Sequence, residues 1–233
     1  MPNSNRRIAA RAAVAAAMLV AATGCGSLAT SSTRSTAAQT AAESALPSAG
    51  PSRLTVSATA NIFGAGHDRN PQPGQGGGGS DAPVVQLPSG MARIVTFEDA
   101  SGSVIPVAER GVANGPVGTL HGTTDIESFE GISGIVHRNN TMFLVGVFLT
   151  DAPPTDPAPE RLDFSENEDF GTLEPEIGQV FFVGDGVGRR YLAPPEATRL
   201  FVGFADAAAF QGAPGYYGNN SGDVQVTVAV TVE

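Results

Sequence analysis

Two adjacent amides, Asn219 and Asn220, stand inside a loop that no regular element can absorb. Residues Gly212 to Gly222 hold four Gly, one Pro and this Asn pair. Gly and Asn tolerate positive φ and Pro fixes its own, so the segment folds back on itself. A tight loop of that composition gathers uncharged oxygens in a small volume. Ca²⁺ asks for such a set, taking about six to eight oxygens from carboxylates, side-chain amides and backbone carbonyls. Asp206, in Phe204-Ala205-Asp206, is the nearest upstream carboxylate that could add negative charge. A plain hairpin loop has the same composition, so the residues alone leave both readings open.

Other chemistry is thinly represented. Acyl transfer needs a Ser or Cys beside a His base and an orienting acid. The three His, at 67, 121 and 137, stand in apparent loops with no nucleophile motif near them. His121 and Asp125 could share a metal, although a pair four residues apart is usually ordinary surface. Gly74, Gly76 and Gly79 satisfy G-x-G-x-x-G without any strand-to-helix context, which empties the match. Gly76 to Ser80 reads instead as a mobile loop between strands. Asp163, Glu166, Glu168 and Asp169 cluster around Asn167, as a second cation site or a solvated acidic loop. No EF-hand spacing is present, and the expectation is a protein that is not an enzyme. Tyr216 and Tyr217 beside the Asn pair could offer a sugar an aromatic face, but the chain contains no Trp to build a stronger platform.

The run Pro214 to Gly222, followed by an alternating strand, resembles the metal loop of the soluble calcium-dependent galactophilic lectins of bacteria. The resemblance implies one Ca²⁺, with Asn219 and Asn220 matching that family's Asn pair and a bound sugar completing the shell. The family's Asp before Pro-Gly falls on Gly212 and its Thr on Tyr216, so two side-chain ligands are missing and Asp206 is the implied substitute. A second loop that lends polar groups to the sugar would fall at Glu127 to Gly131, with Glu130 as its carboxylate; the family's His is not reproduced there. Galactose specificity does not carry over.

These residues need strands to hold them. Short apolar or alternating runs occur at Leu54–Ala60, Ala92–Phe97, Met142–Leu149, Gln179–Val183, Thr198–Phe204 and Asp223–Val232. In the last, Val224, Val226, Val228, Val230 and Val232 share one face, the period of a half-buried strand. Met142 to Leu149 is apolar on both faces, as a central strand would be. Many short strands between Gly- and Pro-rich turns predict an all-β chain, a β-sandwich. The segments Val56–Gly66, Met142–Leu149 and Thr198–Asp206 also resemble a broad group of secreted bacterial proteins across residues 53–233. Together the resemblances imply a jelly-roll-like β-sandwich of two antiparallel sheets.

The N-terminal part reads differently. Arg6, Arg7 and Arg11 precede an apolar run from Ala12 to Ala22 and small residues up to Cys25, which predicts a signal peptide over 1–24. The placement of this single Cys resembles a lipobox, so lipidation at Cys25 is expected; an ordinary secretory signal with a chance Cys is the alternative. Residues 26–52 lack large apolar side chains, so 25–52 reads as a lipidated Cys and a disordered tether with a reach of roughly 30 Å. About 180 residues, 53–233, remain for one domain. Removing three Arg with the signal takes the chain from 13 basic against 23 acidic residues to 10 against 23, a net charge of −13. Phosphate partners need cationic patches, so nucleic acid is disfavoured. The sequence therefore points to an exported, envelope-located, lipid-anchored non-catalytic module for Ca²⁺-dependent carbohydrate binding or adhesion, which meets the membrane only through its lipid. The alternative is a structural envelope or matrix protein with a metal-stabilised loop and no sugar.

Overall fold

Alternation decides the longest pairing. In β17 (Ser221–Val232), Val224, Val226, Val228 and Val230 are buried while Gln225 and Thr231 are exposed. The computed structural model describes residues 50–89, 92–107, 112–120 and 122–232, within a unit that begins at Ser44. The signal, tether, Cys25 and His121 readings lie outside the described residues.

The described chain is all-β, with strands in four sheets. One sheet has the order β1 (Ser52–Ser57), β17, β5 (Arg93–Ile105), β14 (Arg190–Ala193) and β12 (Thr172–Leu173). The second has β13 (Val180–Phe182), β10 (Leu144–Leu149), β15 (Arg199–Phe204), β2 (Ala60–Asn61) and β3 (Ser80–Asp81), with β4 (Val84–Gln86) also on β15. A third comprises β11 (Leu162–Asp163), β8 (Ile135–His137), β7 (Thr124–Ile126) and β16 (Gln211–Gly212). A ribbon pairs β6 (Thr119–Leu120) with β9 (Asn140–Thr141). Only three-residue 3₁₀ turns break the strand pattern among the described residues, at Ile62–Gly64, Ala208–Phe210 and Tyr217–Asn219.

All six residues of β10 are buried, as a strand apolar on both faces must be. The expectation of purely antiparallel sheets is corrected. The long pairings are antiparallel, but β2–β15, β2–β3, β11–β8, β12–β14 and β16–β7 are parallel. Each parallel pairing spans one or two residues, too short for any sequence period to announce it.

The two larger sheets share a core. Phe181 of β13 lies 4.7 Å, ring to ring, from Tyr191 of β14, and the Tyr191 hydroxyl donates to the Phe182 carbonyl at 2.8 Å. Phe97 meets Tyr191 edge-on at 5.3 Å, and Phe148 meets Phe181 at 5.1 Å. Burying a ring of this size stabilises by about 1.5–3 kcal/mol, and well-disposed aromatic pairs add about 0.5–1.5 kcal/mol.

Candidate functional site

Strands β15 and β17 leave their sheets on either side of the 205–220 loop, and β1 ends beside both. Asp206 follows β15 by two residues, and Asn220 immediately precedes β17. Pairing of Ser57 with Asp223 brings Ala58 to the same place, where its N–H donates to the Gly222 carbonyl at 2.9 Å. The Asn220 amide nitrogen donates to Asp206 Oδ2 at 2.8 Å and to the Ala58 carbonyl at 3.1 Å. Asp206 Oδ1 accepts from the Ala207 N–H at 2.8 Å. Both side chains are inside, with relative exposures of 3% for Asp206 and 7% for Asn220. Asn220 Oδ1 is buried too and has no hydrogen-bond partner among the described residues.

A carboxyl so placed is uncomfortable when charged. None of the ion pairs among the described residues includes Asp206. Burial pushes its pKa up to about 7, against the opposing pull of the Asn220 and Ala207 donors. Beneath it the fully buried Tyr217 donates its hydroxyl to the Phe204 carbonyl at 2.9 Å and accepts from the Asp206 N–H at 3.1 Å. Burial drives that phenol well above its ordinary pKa, so it stays neutral.

Asp206 forms part of an open cavity of about 600 Å³. Tyr216 and Asn219 flank it, Phe210 and Gln211 continue the wall, and Thr123, just before β7, and Thr141 of the ribbon stand among the lining residues. Among the described residues no Arg or His contributes to the lining. Three lining residues other than Gly hold left-handed backbone: Ala209 at φ 51°, Phe210 at 60° and Tyr216 at 70°. Such conformations cost about 1–3 kcal/mol each and gather where surrounding structure imposes them.

Part of that imposition comes from the Gly-rich run expected to be mobile. It is a strap hydrogen-bonded to the loop: Gly74 N–H donates to the Pro214 carbonyl at 2.9 Å, Tyr216 N–H to Gln75 at 2.7 Å, Gly218 N–H to Gly76 at 2.9 Å and Tyr217 N–H to Gly77 at 3.2 Å. Glycine is required by proximity. A Cβ on Gly76 would stand 2.7 Å from the Tyr216 backbone, and one on Gly79 2.2 Å from the Thr59 carbonyl oxygen.

The structure brings Asp206, Asn219, Asn220 and Tyr216 together. Tyr217 does not reach the cavity, because its ring fills the space under the loop. Glu130 is exposed and lies by a separate hollow with Arg69 and Gln72, and its carbonyl accepts from His67 Nε2 at 3.1 Å. Among the described residues no three His, Cys, Asp or Glu side chains converge as a metal group. A cation here would rely on the Asp206 carboxylate, the unpartnered Asn220 Oδ1, the exposed Asn219 amide and backbone carbonyls. That donor set is hard and oxygen-only, and it fits Ca²⁺ with few charges, the composition of weak extracellular sites. Sequence reasoning missed the strap and the Thr123/Thr141 wall. Only the density of Gly between 74 and 79 hinted at a close backbone approach.

No protein-family model matches the chain, and no curated protein shows significant similarity to it. No helix among the described residues is long and apolar enough to cross a membrane.

Proposed function

We propose that this chain is an exported, non-catalytic binding module that takes neutral carbohydrate at the Asp206–Asn219–Asn220 loop with the help of Ca²⁺. In this reading the two larger sheets form a jelly-roll-like sandwich, and a lipid on Cys25 anchors the protein in the cell envelope. The observation that carries the reading is the buried Asp206 carboxyl, outside any ion pair among the described residues, which lines an open cavity and accepts from Asn220, whose own side-chain oxygen has no partner there. A cation answers both needs at once. Tyr216 and Phe210 then offer apolar faces, and Gln211 and Thr123 offer hydroxyl partners. The chain enters β1 at Ser52, while the site sits past its other end, about 17 Å away at the usual rise per residue.

Calcium should raise the melting temperature over a chelated sample. A ligand at a hundredfold its Kd stabilises by about 2.7 kcal/mol, or roughly 5–10 °C for a domain of this size. Asn219→Ala, whose side chain is exposed, should weaken that rise without unfolding the protein. Neutral-glycan array signals should then appear with calcium and vanish with chelator. No calcium shift at millimolar concentration would end the metal part. A shift with a blank array would favour the structural envelope role, which the internal Asn220–Asp206–Ala58 bonding already suits.

A further inference from the structure

His137 closes β8 with its ring fully buried between Phe143 and Phe182, at centroid distances of 5.2 and 5.6 Å. Its two nitrogens have opposite duties. Nδ1 lies 3.3 Å from the Asn139 N–H and accepts from it, so it carries no proton. The proton therefore sits on Nε2, which donates to Glu168 Oε1 at 3.1 Å, with the Asn140 side-chain amide 3.4 Å from the same nitrogen. The turn this ring holds adjoins the cavity wall. The Arg138 carbonyl accepts from Thr123 Oγ1 at 3.2 Å, the Asn140 carbonyl accepts from Thr124 Oγ1 at 2.8 Å, and Thr141 and Thr123 line the cavity shared with Asp206 and Asn219.

We propose that His137 is a proton-operated latch on this wall: a second proton on Nδ1 replaces the acceptor of the 137–140 turn with a donor opposed to the Asn139 N–H, and frees Thr123 and Thr141. Its use in regulating ligand binding rests on the binding-site reading above; its chemistry does not. The charged surroundings are few. Glu168 faces Nε2 from the 164–171 loop, and Asp163 approaches from β11, engaged by the Ser165 hydroxyl and N–H. Arg138 follows on the same chain and is exposed. Arg189 stands over the Phe182 ring at 5.1 Å, donates to the Glu168 carbonyl at 2.7 Å, and pairs with Asp185 at 2.8 Å and Asp169 at 3.6 Å. From β13 and the 142–143 turn come only the Phe182 and Phe143 rings, and β7 presents Thr124; Asp125 pairs across from Val136 and bonds Arg161.

Burial outweighs the attraction of Glu168 and Asp163, and holds the closed imidazole below its ordinary pKa of 6.5. An opened turn returns the ring to its ordinary value. As pH falls below about 6.5, the open form takes up a proton that the closed form refuses, so the opening constant rises by up to tenfold per pH unit, about one proton's worth.

The test is amide exchange at Arg138 and Asn139 in the calcium-free, sugar-free protein from pH 7.0 to 5.5, corrected for intrinsic rates. Protection should fall several-fold in the wild type, up to about eightfold for one proton. His137→Asn keeps an acceptor near the Nδ1 position and cannot titrate, so its protection should change less than about threefold. Glu168→Gln removes the charge that favours the imidazolium in the closed form, so the closed ring refuses the proton further into acid and the loss of protection should continue to lower pH than in the wild type. Nitrogen chemical shifts of the His137 ring give a readout independent of the variants: Nε2–H tautomer at neutral pH and a pKa below 6.5. Equal pH slopes in wild type and His137→Asn would overturn the latch, as would a ring that titrates at or above 6.5 while the turn stays protected. If His137→Asn fails to fold, the ring shifts and Glu168→Gln decide. An acid-opened turn without any calcium shift would remove the lectin reading and keep the latch; a calcium shift with an acid-inert turn would do the reverse.

Discussion

Asn220 is satisfied at one end only, and that asymmetry makes it the most informative single residue. Its amide nitrogen holds Asp206 and the Ala58 carbonyl together, while its oxygen is buried without a partner. Asn220→Ala strips a donor from both acceptors, and leaving buried acceptors unmade costs about 1–3 kcal/mol. The loss should be larger at pH 8 than at pH 5, because Asp206 titrates near 7 and needs that donor most when ionised. Asn220→Asp separates the two functional readings. It sets a second carboxylate against Asp206, so metal-free protein should melt lower than Asn220→Ala at pH 8. Calcium should then recover more stability than it gives the wild type. A variant that calcium leaves untouched would mean that no cation enters this loop. The Asn pair was visible in the sequence as chemistry, but the partition of the Tyr pair was not. Tyr216 lies at the cavity and Tyr217 beneath the loop because the 3₁₀ turn at Tyr217–Asn219 sends adjacent side chains to opposite sides.

At the scale of elements, the strap from Gly74 to Gly79 governs the shape of the loop. Gly76 has φ 74°, and an added Cβ would meet the Tyr216 backbone at 2.7 Å; Gly188 has φ 73° with nothing within 4 Å of a Cβ. Comparing Ala at each position isolates the strap. Gly188→Ala bears only the left-handed penalty of about 1–2 kcal/mol, roughly 2–8 °C in melting temperature. Gly76→Ala bears the same penalty and must also push Tyr216 away, so it should lose at least twice as much and weaken any calcium response. Equal losses, read by thermal unfolding, would deny the strap its role. Strands with a period were legible: β10, β15 and β17 fall where apolar runs predicted them. The strap and the parallel contacts were not. They depend on backbone groups of segments far apart in sequence, and a Gly run advertises close approach without naming what approaches.

For the whole molecule, acid resistance is set by buried groups that titrate in opposite directions. Asp206 has its folded pKa raised to about 7, so its contribution is full below the unfolded value near 3.8 and is lost as pH rises through 7. One pKa unit corresponds to about 1.4 kcal/mol, which puts the ceiling of that loss on the order of 4 kcal/mol. His137 has its folded pKa lowered, so the unfolded chain takes up the extra proton first and stability falls as pH drops below about 6.5. Asp163, held low by the Ser165 hydroxyl, adds a loss only as pH falls through its depressed value, below 3.8. Between pH 4.5 and 6.5 the first two slopes oppose each other, and the metal-free wild type should show a shallow profile there in denaturant melts. Asp206→Asn removes the descending alkaline limb and should leave stability that falls on acidification. His137→Asn removes the acid limb and should leave stability that rises on acidification. Calcium bound at Asp206 would hold the carboxylate ionised, so a saturated wild type should follow the Asp206→Asn slope. Identical profiles in both variants would place the controlling groups elsewhere among the chain's 23 acidic residues.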